Sequence, residues 1–384
     1  MRIANVVLND FTRDNRVLKI SESLASAGHD VTVVALHKAG LLPHESRGAW
    51  HVHRTQLWTN RLPRGTFFGA IKMLELALRV TWKWRQADAW HCNDFEAFVL
   101  GCLAQRLNRK LDLIYDCHEF ESERNAKPEL ERKIVRWLES RWIHRASAVI
   151  TVSPSIAQAY KERYREAHGM KSIHLVRNIP EPRPEANRNS VEGDLFRNRF
   201  NIPADHFIAL YQGAFTHNRG LETTLEAMEG LENEGIHLVL MGYGPLQPLV
   251  DTAAARHPHI HVHPAVPYDD VLAHTQSADV GLVSVKPTCL SYLYCLPNKL
   301  FEYILAGVPV LSNDLPDCRA LIETYEVGQT VSPDTPAAWR EAFRSLKSQG
   351  TENFRPGLSR AQSELSWQRE SETLLRIYSE LGER

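Results

Sequence analysis

The sequence has few cysteines, and they form no motif that would hold a metal ion. Six cysteines are scattered over 384 residues without a Cys-x-x-Cys pair or a matching spacing of histidines. This distribution argues against a disulfide framework and against a zinc site, so we interpret the cysteines as free thiols in a reducing compartment. No apolar run, including the brief one after Met1, is long enough for a membrane span or a signal peptide. We therefore expect a cytoplasmic protein.

Three ligand-binding motifs are also missing. No Gly-x-Gly-x-x-Gly follows the first predicted strand, which argues against a nicotinamide cofactor. No Asp-x-Asp motif stands at a strand end, so no metal ion is implied. No nucleic-acid-binding motif is recognisable, and we expect no nucleic-acid partner. The sequence thus predicts no cofactor.

The charge that is present is unevenly distributed, although the formal net charge is only −1. Residues 1–185 hold 29 Lys and Arg against 21 Asp and Glu, and the remainder holds 16 against 25. The basic part also contains seven of the nine tryptophans. These features favour a partner that is both anionic and amphipathic, such as a phospholipid surface or a lipid-linked phosphate, over nucleic acid.

Residues 67–85 are the first candidate for such a contact. The segment mixes aromatic and aliphatic residues with four cations, which is typical of a basic helix that lies on an anionic leaflet. A core helix with a solvated face explains the same residues equally well. A second segment, residues 133–142, carries three cations and two tryptophans, and it favours the membrane interpretation.

Strand and helix patterns alternate along the chain. Residues 3–8, 16–27 and 30–36 predict a strand, an amphipathic helix and a second strand, and the alternation then continues. Residues 179–185 contain three prolines at alternate positions and predict a linker, after which the alternation restarts. We therefore predict an α/β fold of two doubly wound Rossmann-like domains. The last amphipathic run, residues 366–381, is expected to pack back on the first domain. The predicted domains are residues 1–183 and 184–363, with the last helix in residues 364–384.

A short helix with a polar start is the most informative segment of the second domain. Asn298, Lys299 and Glu302 lie on its first turn, after Pro297 and before a buried strand. Asn298 can cap the free amides of this helix, whose N-terminus would attract an anion, and Lys299 adds a full charge. Glu302 can accept from paired hydroxyls, so phosphate beside ribose suggests a nucleotide. Alternatively, Lys299 and Glu302 form only a surface ion pair.

A glycine turn in the same domain offers a second phosphate contact. Gly213 follows a predicted strand, and Arg219 precedes Gly220 at the start of the next predicted helix. Ligands of open α/β sheets bind beyond the carboxyl ends of strands, where Arg219 could grip a diphosphate with two donors. The alternative is a solvated loop arginine.

Polar residues also follow the strands of the first domain. His118, just beyond a strand, can donate to a sugar hydroxyl, and Glu119 could orient or deprotonate an incoming hydroxyl. Alternatively, His118 is a structural partner of Asp116. Asp14 can cap the first helix, whereas Arg16 on its first turn requires a sugar, phosphate or carboxylate as partner.

Asn93 and Asp94 end another strand of this domain. Either residue can hydrogen-bond an acceptor or cap the following helix, and we favour capping for Asp94. Asp14, Arg16 and Asn93 are expected to line a cleft where an acceptor binds.

Together these segments resemble the retaining glycosyltransferases of family 4 (group 1), which have the GT-B fold. The resemblance extends over nearly the whole chain. In the first domain it rests on the loop 14–17, which reads Asp-Asn-Arg-Val, and on the element 115–119, whose His118 is expected to approach the donor sugar. The matching positions of the second domain are Gly213, Arg219, Gly220, Gly242, Tyr243, Gly244 and the segment 297–302.

The resemblance implies that these second-domain residues bind the donor, with Glu302 on the ribose hydroxyls. Two positions depart from the family pattern. Tyr294 stands where the first of two glutamates is usual, and Ala214 stands where an arginine is usual. Lys299 is the expected replacement for the missing cation. Members of the branch with the segment Pro-Asn-Lys-x-Phe-Glu share these changes, which argues for a subfamily rather than an inactive enzyme.

The implied activity is transfer of a sugar from a nucleoside diphosphate sugar to an acceptor hydroxyl. The implied acceptor is a glycan or a lipid-linked glycan of the cell envelope, so the protein is expected in the cytoplasm or on the inner face of the cytoplasmic membrane. A nucleotide-sugar epimerase of the same fold is one alternative, since it would turn over the donor without an acceptor. A non-catalytic nucleotide-sugar-binding protein is the other, and it would bind the donor without consuming it.

Overall fold

The computed structural model describes residues 1–12, 14–63, 65–125, 127–181 and 194–383. The chain divides into two compact units, of which unit 1 is Met1–Arg177 with Glu370–Arg384 and unit 2 is Asn178–Arg369. The expected domain boundary between residues 183 and 184, and most of the proline-rich linker, lie outside the described residues. Each unit contains one twisted sheet with helices packed on it, as the alternating pattern predicts.

Unit 1 contains an eight-stranded sheet in the order β3-β4-β2-β1-β5-β6-β7-β8. Every neighbouring pair is parallel except β3 and β4. The β3–β4 hairpin at the edge is not foreseen by the sequence, because β3 is polar and mostly exposed and so carries no apolar signal. The strands are β1 (Arg2–Val6), β2 (Asp30–Leu36), β3 (His44–Arg47), β4 (Trp50–Thr55), β5 (Ala89–Asn93), β6 (Asp112–Cys117), β7 (Ala148–Thr151) and β8 (Ile173–Leu175).

The last helix of the chain packs on this sheet, as expected. From Glu370 onward it belongs to unit 1, and its Tyr378 is fully buried with the hydroxyl 3.0 Å from His91 Nδ1. The helices of unit 1 are α1 (Asn15–Ser26), α2 (Thr66–Trp84), α3 (Asp94–Leu107), α4 (Glu129–Trp142), α5 (Pro154–Tyr160) and α6 (Glu166–His168).

Unit 2 contains a six-stranded, wholly parallel sheet in the order β11-β10-β9-β12-β13-β14. Its two faces are covered by two separate apolar clusters, which accounts for the uninterrupted apolar runs of its inner strands. The strands are β9 (Phe207–Ala214), β10 (Ile236–Tyr243), β11 (Ile260–Pro264), β12 (Val280–Val283), β13 (Val310–Asn313) and β14 (Gly328–Val331).

The helices of unit 2 connect these strands and continue into the last helix. Four of them, the short α7 and α11 and the separate α13 and α15, are additional to the predicted elements. The full set is α7 (Leu195–Phe200), α8 (Leu221–Met228), α9 (Gln247–Arg256), α10 (Tyr268–Thr275), α11 (Leu290–Leu293), α12 (Asn298–Leu305), α13 (Pro316–Tyr325), α14 (Pro336–Gln349), α15 (Arg355–Glu364) and α16 (Trp367–Gly382). Among the described residues, no helix combines the length and apolar character needed to span a bilayer.

Helix α12 is anchored by its apolar face. Leu300, Phe301 and Ile304 are buried in one of the two apolar clusters. The Tyr303 hydroxyl lies 3.0 Å from the Leu210 carbonyl oxygen of β9, and Gly307 with φ +73° ends the helix as predicted. This packing fixes the start of α12 beside the carboxyl end of β9.

Candidate active site

The N-terminus of α12 has no side-chain cap. Pro297, in an extended conformation, is the N-cap residue, and its side chain makes no hydrogen bond to the first amides. The prediction that Asn298 caps the helix is wrong, because Asn298 is the first helical residue and its Oδ1 accepts from Asn178 Nδ2 at 3.1 Å. The uncapped amides and the helix dipole can therefore both act on an anion.

The amine of Lys299 is buried without a hydrogen-bond partner among the described residues. Its Nζ lies 3.8 Å from the centroid of the Tyr211 ring. Burial, followed by the positive charge of Arg219, lowers the pKa of Lys299 to about 7, although Glu302 opposes the shift. The alternative of a simple Lys299–Glu302 ion pair does not hold, since Nζ is not bonded to Glu302. An anion would supply the partner that this amine lacks.

Arg219 lies in the loop between β9 and α8. Its guanidinium carbon is 4.7 Å from the centroid of the Tyr292 ring, so its side chain is held against α11 rather than freely solvated. Ser284 Oγ donates to the Arg219 carbonyl at 2.8 Å. Gly220, with φ +75°, follows, and a Cβ there would lie 1.9 Å from the Ser284 carbonyl oxygen. Only glycine therefore fits this turn, which holds Arg219 near Lys299.

Glu302 is held by a residue that the sequence does not single out. Gln212 Nε2 donates to Glu302 Oε2 at 2.5 Å, and Thr275 Oγ1 donates to Gln212 Oε1 at 2.8 Å. Gln212 is buried at the end of β9. The two bonds fix the orientation of the Gln212 amide, because a carboxylate can only accept. A polar residue directly before Gly213 at the end of an apolar strand is the signal that could have identified it.

At the glycines of this region no side chain covers the backbone, and at two of them there is no room for a Cβ. Gly213 and Gly242 are partners in the β9–β10 register, and a Cβ on Gly242 would lie 1.9 Å from the Gly213 carbonyl oxygen. A Cβ on Gly244 would lie 2.4 Å from the Phe215 carbonyl oxygen, whereas the intervening Tyr243 is 60% exposed. A ligand can thus approach the carboxyl ends of both strands closely.

Tyr294 follows α11 directly, in the loop that leads to α12. The aromatic residue of this region that stacks on Arg219 is Tyr292. Tyr292 is therefore a second neighbour of the donor residues that sequence reasoning did not identify. The donor role of Tyr294 stays a prediction.

His118 in unit 1 lies between two carboxylates. Its Nδ1 is 3.3 Å from Asp94 Oδ1, and its Nε2 is 3.4 Å from Asp116 Oδ2. Burial lowers the pKa of His118, but the two carboxylates outweigh burial and raise it to about 9. The imidazole is therefore protonated at neutral pH, which fits the alternative that His118 is a structural partner of Asp116. A protonated imidazole can donate to a substrate but cannot act as a base.

Asp116 is the centre of a buried network. Arg16 donates to both of its oxygens, from Nη2 at 2.8 Å and Nε at 2.9 Å, and His91 Nε2 lies 3.1 Å from Oδ2. Burial raises the pKa of Asp116, but the charges of Arg16 and His118 and its hydrogen bonds hold it well below the usual range. Arg16 is only 3% exposed. Its anionic partner is therefore this carboxylate, one of the three kinds of partner expected, and the prediction that Arg16 lines an acceptor cleft is wrong.

The remaining first-domain residues are placed as follows. Asp14 caps α1 by accepting from the Val17 amide at 3.1 Å, as predicted. Glu119 Oε2 pairs with Arg124 Nε at 3.1 Å. Within the described residues, Asn93 is buried and donates to the Val6 carbonyl at 2.9 Å, while its Oδ1 has no hydrogen-bond partner. That acceptor would be satisfied only by a water or ligand.

Asp94 does not cap α3, contrary to the prediction. The N-cap residue is Asn93, and Asp94 is the first helical residue with φ +65°. Such a conformation is strained for a residue other than glycine, and it coincides with the ion pair to His118. No group of three or more His, Cys, Asp or Glu side chains suited to a metal ion occurs in the part of the chain that the structure describes.

Comparison with known proteins identifies two sequence families and several similar folds. The model of the glycosyl transferase 4-like domain matches residues 14–178, and the model of glycosyl transferases group 1 matches residues 206–349. A search of curated proteins finds no match. Similar solved structures include sucrose-phosphate synthase from Thermosynechococcus elongatus, with 18% identity, 99% of both chains covered and a TM-score of 0.78.

Two further solved structures have the same fold. Anabaena HepE in complex with UDP and glucose is 14% identical, with 99% of both chains covered and a TM-score of 0.74. WaaG, a glycosyltransferase involved in lipopolysaccharide biosynthesis, is 14% identical, with 98% of this chain and 99% of that chain covered and a TM-score of 0.65. At such identities these similarities establish the GT-B fold.

Proposed function

This chain belongs to the group 1 glycosyl transferases, and we propose that it is a retaining enzyme that uses a nucleoside diphosphate sugar. The observation that carries the donor assignment is the start of α12. There an uncapped helix N-terminus, the unpartnered amine of Lys299 and the guanidinium of Arg219 lie close to one another. Glu302, one turn further, is oriented by Gln212. Three sources of positive potential beside one carboxylate fit a diphosphate attached to a ribose.

The proposed chemistry uses these groups to stabilise the leaving diphosphate. Negative charge develops on the diphosphate as the glycosyl bond breaks, so fixed cations at its oxygens lower the barrier. In a retaining reaction by front-face attack, the leaving diphosphate accepts the proton of the acceptor hydroxyl, and no protein nucleophile is required. We propose no cofactor, because the sequence contains no Asp-x-Asp motif at a strand end.

His118 and Glu119 are proposed to act on the transferred sugar or the acceptor. Since the pKa of His118 is raised to about 9, its proposed contribution is a positive charge or a donated hydrogen bond rather than proton abstraction. Glu119 is paired with Arg124, so this assignment requires that its carboxylate retain accepting capacity for a hydroxyl. Tyr243 and Tyr294 complete the proposed donor set.

The proposed acceptor is a glycan or lipid-linked glycan of the cell envelope, and the proposed location is the inner face of the cytoplasmic membrane. Support comes from two basic helices of unit 1 with exposed apolar side chains. In α2, Leu74, Leu78 and Trp82 are more than 60% exposed, and in α4 Trp137 is 63% exposed. The core-helix alternative leaves these side chains in water, whereas a membrane interface would cover them. The description of WaaG as a lipopolysaccharide enzyme agrees with this class of acceptor.

Thermal unfolding with a panel of UDP-, ADP- and GDP-sugars tests the donor assignment. A ligand at about 100 times its Kd stabilises the folded state by about 2.7 kcal/mol. We expect one donor to stabilise the wild type and to stabilise Glu302→Ala much less. Glu341→Ala, on an exposed carboxylate of α14, is the matched control and should respond like the wild type. Equal stabilisation of Glu302→Ala would refute the ribose role of Glu302.

Incubation of the same donor with and without acceptors tests the reaction itself. We expect consumption of the donor to depend on an acceptor, with the anomeric configuration retained in the product. Epimerised donor in the absence of an acceptor would favour the epimerase alternative. Binding without consumption under any condition would favour the non-catalytic alternative.

A further inference from the structure

Unit 1 contains a cavity of about 490 Å³ that the proposed reaction does not use. It lies between the β3–β4 hairpin, the residues after β4, and α2, and its volume is within the roughly 300–1,000 Å³ typical of small-molecule sites. None of the lining residues is an acid. The lining residues are Pro43, His44, His53, Arg54, Thr55, Gln56, Leu78, Arg79, Trp82 and Lys83.

Three basic side chains contact one another in this cavity. Lys83 Nζ lies 3.0 Å from His53 Nε2, and His53 Nδ1 lies 3.0 Å from His44 Nδ1. Burial lowers the pKa of His53 to about 4, with further contributions from Lys83 and His44, and burial also lowers the pKa of Lys83. With His53 neutral, Lys83 donates to His53 Nε2 and the two imidazoles share a hydrogen bond, so the charge of this chain lies on the ammonium of Lys83. A bound anion would accept from the remaining N–H groups of Lys83 and would favour the protonated forms of the two histidines beside it.

The two arginines of the cavity are already neutralised. Arg54 Nη1 pairs with Glu45 Oε1 at 2.5 Å, and Arg79 Nε pairs with Glu75 Oε1 at 2.7 Å. Lys83 therefore supplies the charge that an anion would meet, with the imidazoles as additional donors once protonated. The ligand that this chemistry recognises is a phosphate group, which offers oxygens to several donors at once.

The mouth of the cavity is apolar and exposed. Leu78 and Trp82, one turn apart on α2, are 63% and 62% exposed although both line the cavity. The Arg85 guanidinium carbon lies 3.8 Å from the centroid of the Trp82 ring, which keeps a further cation at this edge. A soluble phosphate compound would not cover these side chains. A lipid places its phosphate directly above an apolar layer, at the depth where tryptophan is favoured.

We propose that this cavity binds the phosphate of an anionic lipid, with Leu78 and Trp82 inserted at the boundary of the acyl chains. The cavity would thereby give the proposed membrane association a defined lipid contact in addition to the basic surface of α2. Its role is independent of donor binding, which uses residues of unit 2.

Co-sedimentation with phosphatidylcholine vesicles, with and without phosphatidylglycerol, tests this site. We expect the wild type to bind only the anionic vesicles. Lys83→Gln should weaken binding about fivefold, equivalent to about 1 kcal/mol for one charge near an anionic surface. Trp82→Ala should also weaken it, because Trp82 is exposed and its removal costs interfacial contact. Lys110→Gln, on an exposed lysine of the same unit, is the charge-matched control and should bind like the wild type.

The outcomes distinguish a specific lipid site from general electrostatic attraction to the vesicle and from binding of a soluble phosphate. If Lys83→Gln and Lys110→Gln weaken vesicle binding equally, the cavity has no specific part and the proposal is wrong. If inorganic phosphate shifts the His53 NMR signals while anionic vesicles are not bound, the ligand is soluble and the lipid assignment is wrong. Thermal unfolding of each variant, with and without the donor, checks that folding and the unit 2 site are intact.

Discussion

Replacement of Gln212 by leucine should weaken binding of the donor specifically through its ribose. Leu fills a similar volume at the end of β9 but cannot donate to Glu302 or accept from Thr275. Glu302 would stay on α12, where the apolar face of the helix holds it, but its carboxylate would lose the bond that orients it. The effect should therefore appear on ligands that carry ribose hydroxyls and not on ligands that lack them.

The expected magnitude follows from the bond that is removed. A hydrogen bond to a charged group contributes about 1.5–3 kcal/mol, and about 1.4 kcal/mol corresponds to a tenfold change in Kd. We expect about a tenfold loss of affinity, the lower end of that range, because Glu302 can still rotate into a binding orientation at the expense of side-chain entropy. The Thr275→Val variant should show a smaller loss, since it removes only the bond that holds the Gln212 amide.

Calorimetric titration with a nucleoside diphosphate and its 2′,3′-dideoxy analogue measures this effect. The wild type should bind the ribose form more tightly, and Gln212→Leu should lose about tenfold in affinity for the ribose form while its affinity for the dideoxy form stays unchanged. Gln362→Leu is the matched control, because Gln362 Nε2 donates at 2.9 Å to the Ile304 carbonyl at the other end of α12. Equal losses for both nucleotides in Gln212→Leu would refute the positioning role. A wild type that does not distinguish the two nucleotides would instead refute the ribose role of Glu302.

Three further predictions concern the charged groups. Lys299→Met should weaken diphosphate binding without lowering stability, because folding lowers the pKa of Lys299 from 10.5 to about 7. For the same reason the wild type should gain stability as the pH rises from 7 to 10.5. Calorimetry and urea unfolding at several pH values measure both effects. The pKa of His118 shifts in the opposite direction. Its pKa rises from 6.5 to about 9, so its contribution is complete below pH 6.5 and is lost by pH 9, a loss that should be absent from His118→Gln in pH-dependent thermal unfolding. Asp116→Asn should reduce the free energy of urea unfolding by about 3–5 kcal/mol, because it leaves Arg16 buried and unpaired. The control is Glu129→Gln, which breaks the exposed pair of Glu129 with Lys133 on α4, and a loss for Asp116→Asn no larger than that of the control would contradict this.

The fold could be predicted from the sequence wherever a strand is buried on both faces. Largely apolar runs such as Phe207–Ala214 and Ile236–Tyr243, rich in β-branched and aliphatic residues, are typical of inner strands of a parallel sheet. His44–Arg47 could not be predicted, because an exposed edge strand is selected by its pairing with β4 and not by its own composition. The four-residue α11 is likewise below the length at which helical periodicity can be recognised.

In the candidate site, too, the sequence predicts local interactions correctly but does not predict long-range ones. Asp14 as a helix cap depends on an amide three residues away, and the sequence predicts it correctly. Arg16 and Asp116 are separated by 100 residues, and Gln212 and Glu302 by 90, so neither pairing could be deduced from local pattern. The wrong cap assignments for Asp94 and Asn298 have the same cause. Each side chain has a distant partner that competes with the local amides.

The two charge clusters also indicate which residues are prepared for an anionic ligand. Both His118 and Lys299 are bases in confined surroundings, but their pKa values shift in opposite directions, to about 9 and about 7. His118 already has two carboxylates, so an added anion would compete with them and gain little. Lys299 has an aromatic ring, a neighbouring cation and no hydrogen-bonded partner among the described residues, so a diphosphate would restore its charge and satisfy its donors. Donor binding at the start of α12 should therefore be accompanied by proton uptake, and calorimetry in buffers of different ionisation enthalpy would detect that uptake in the wild type and not in Lys299→Met.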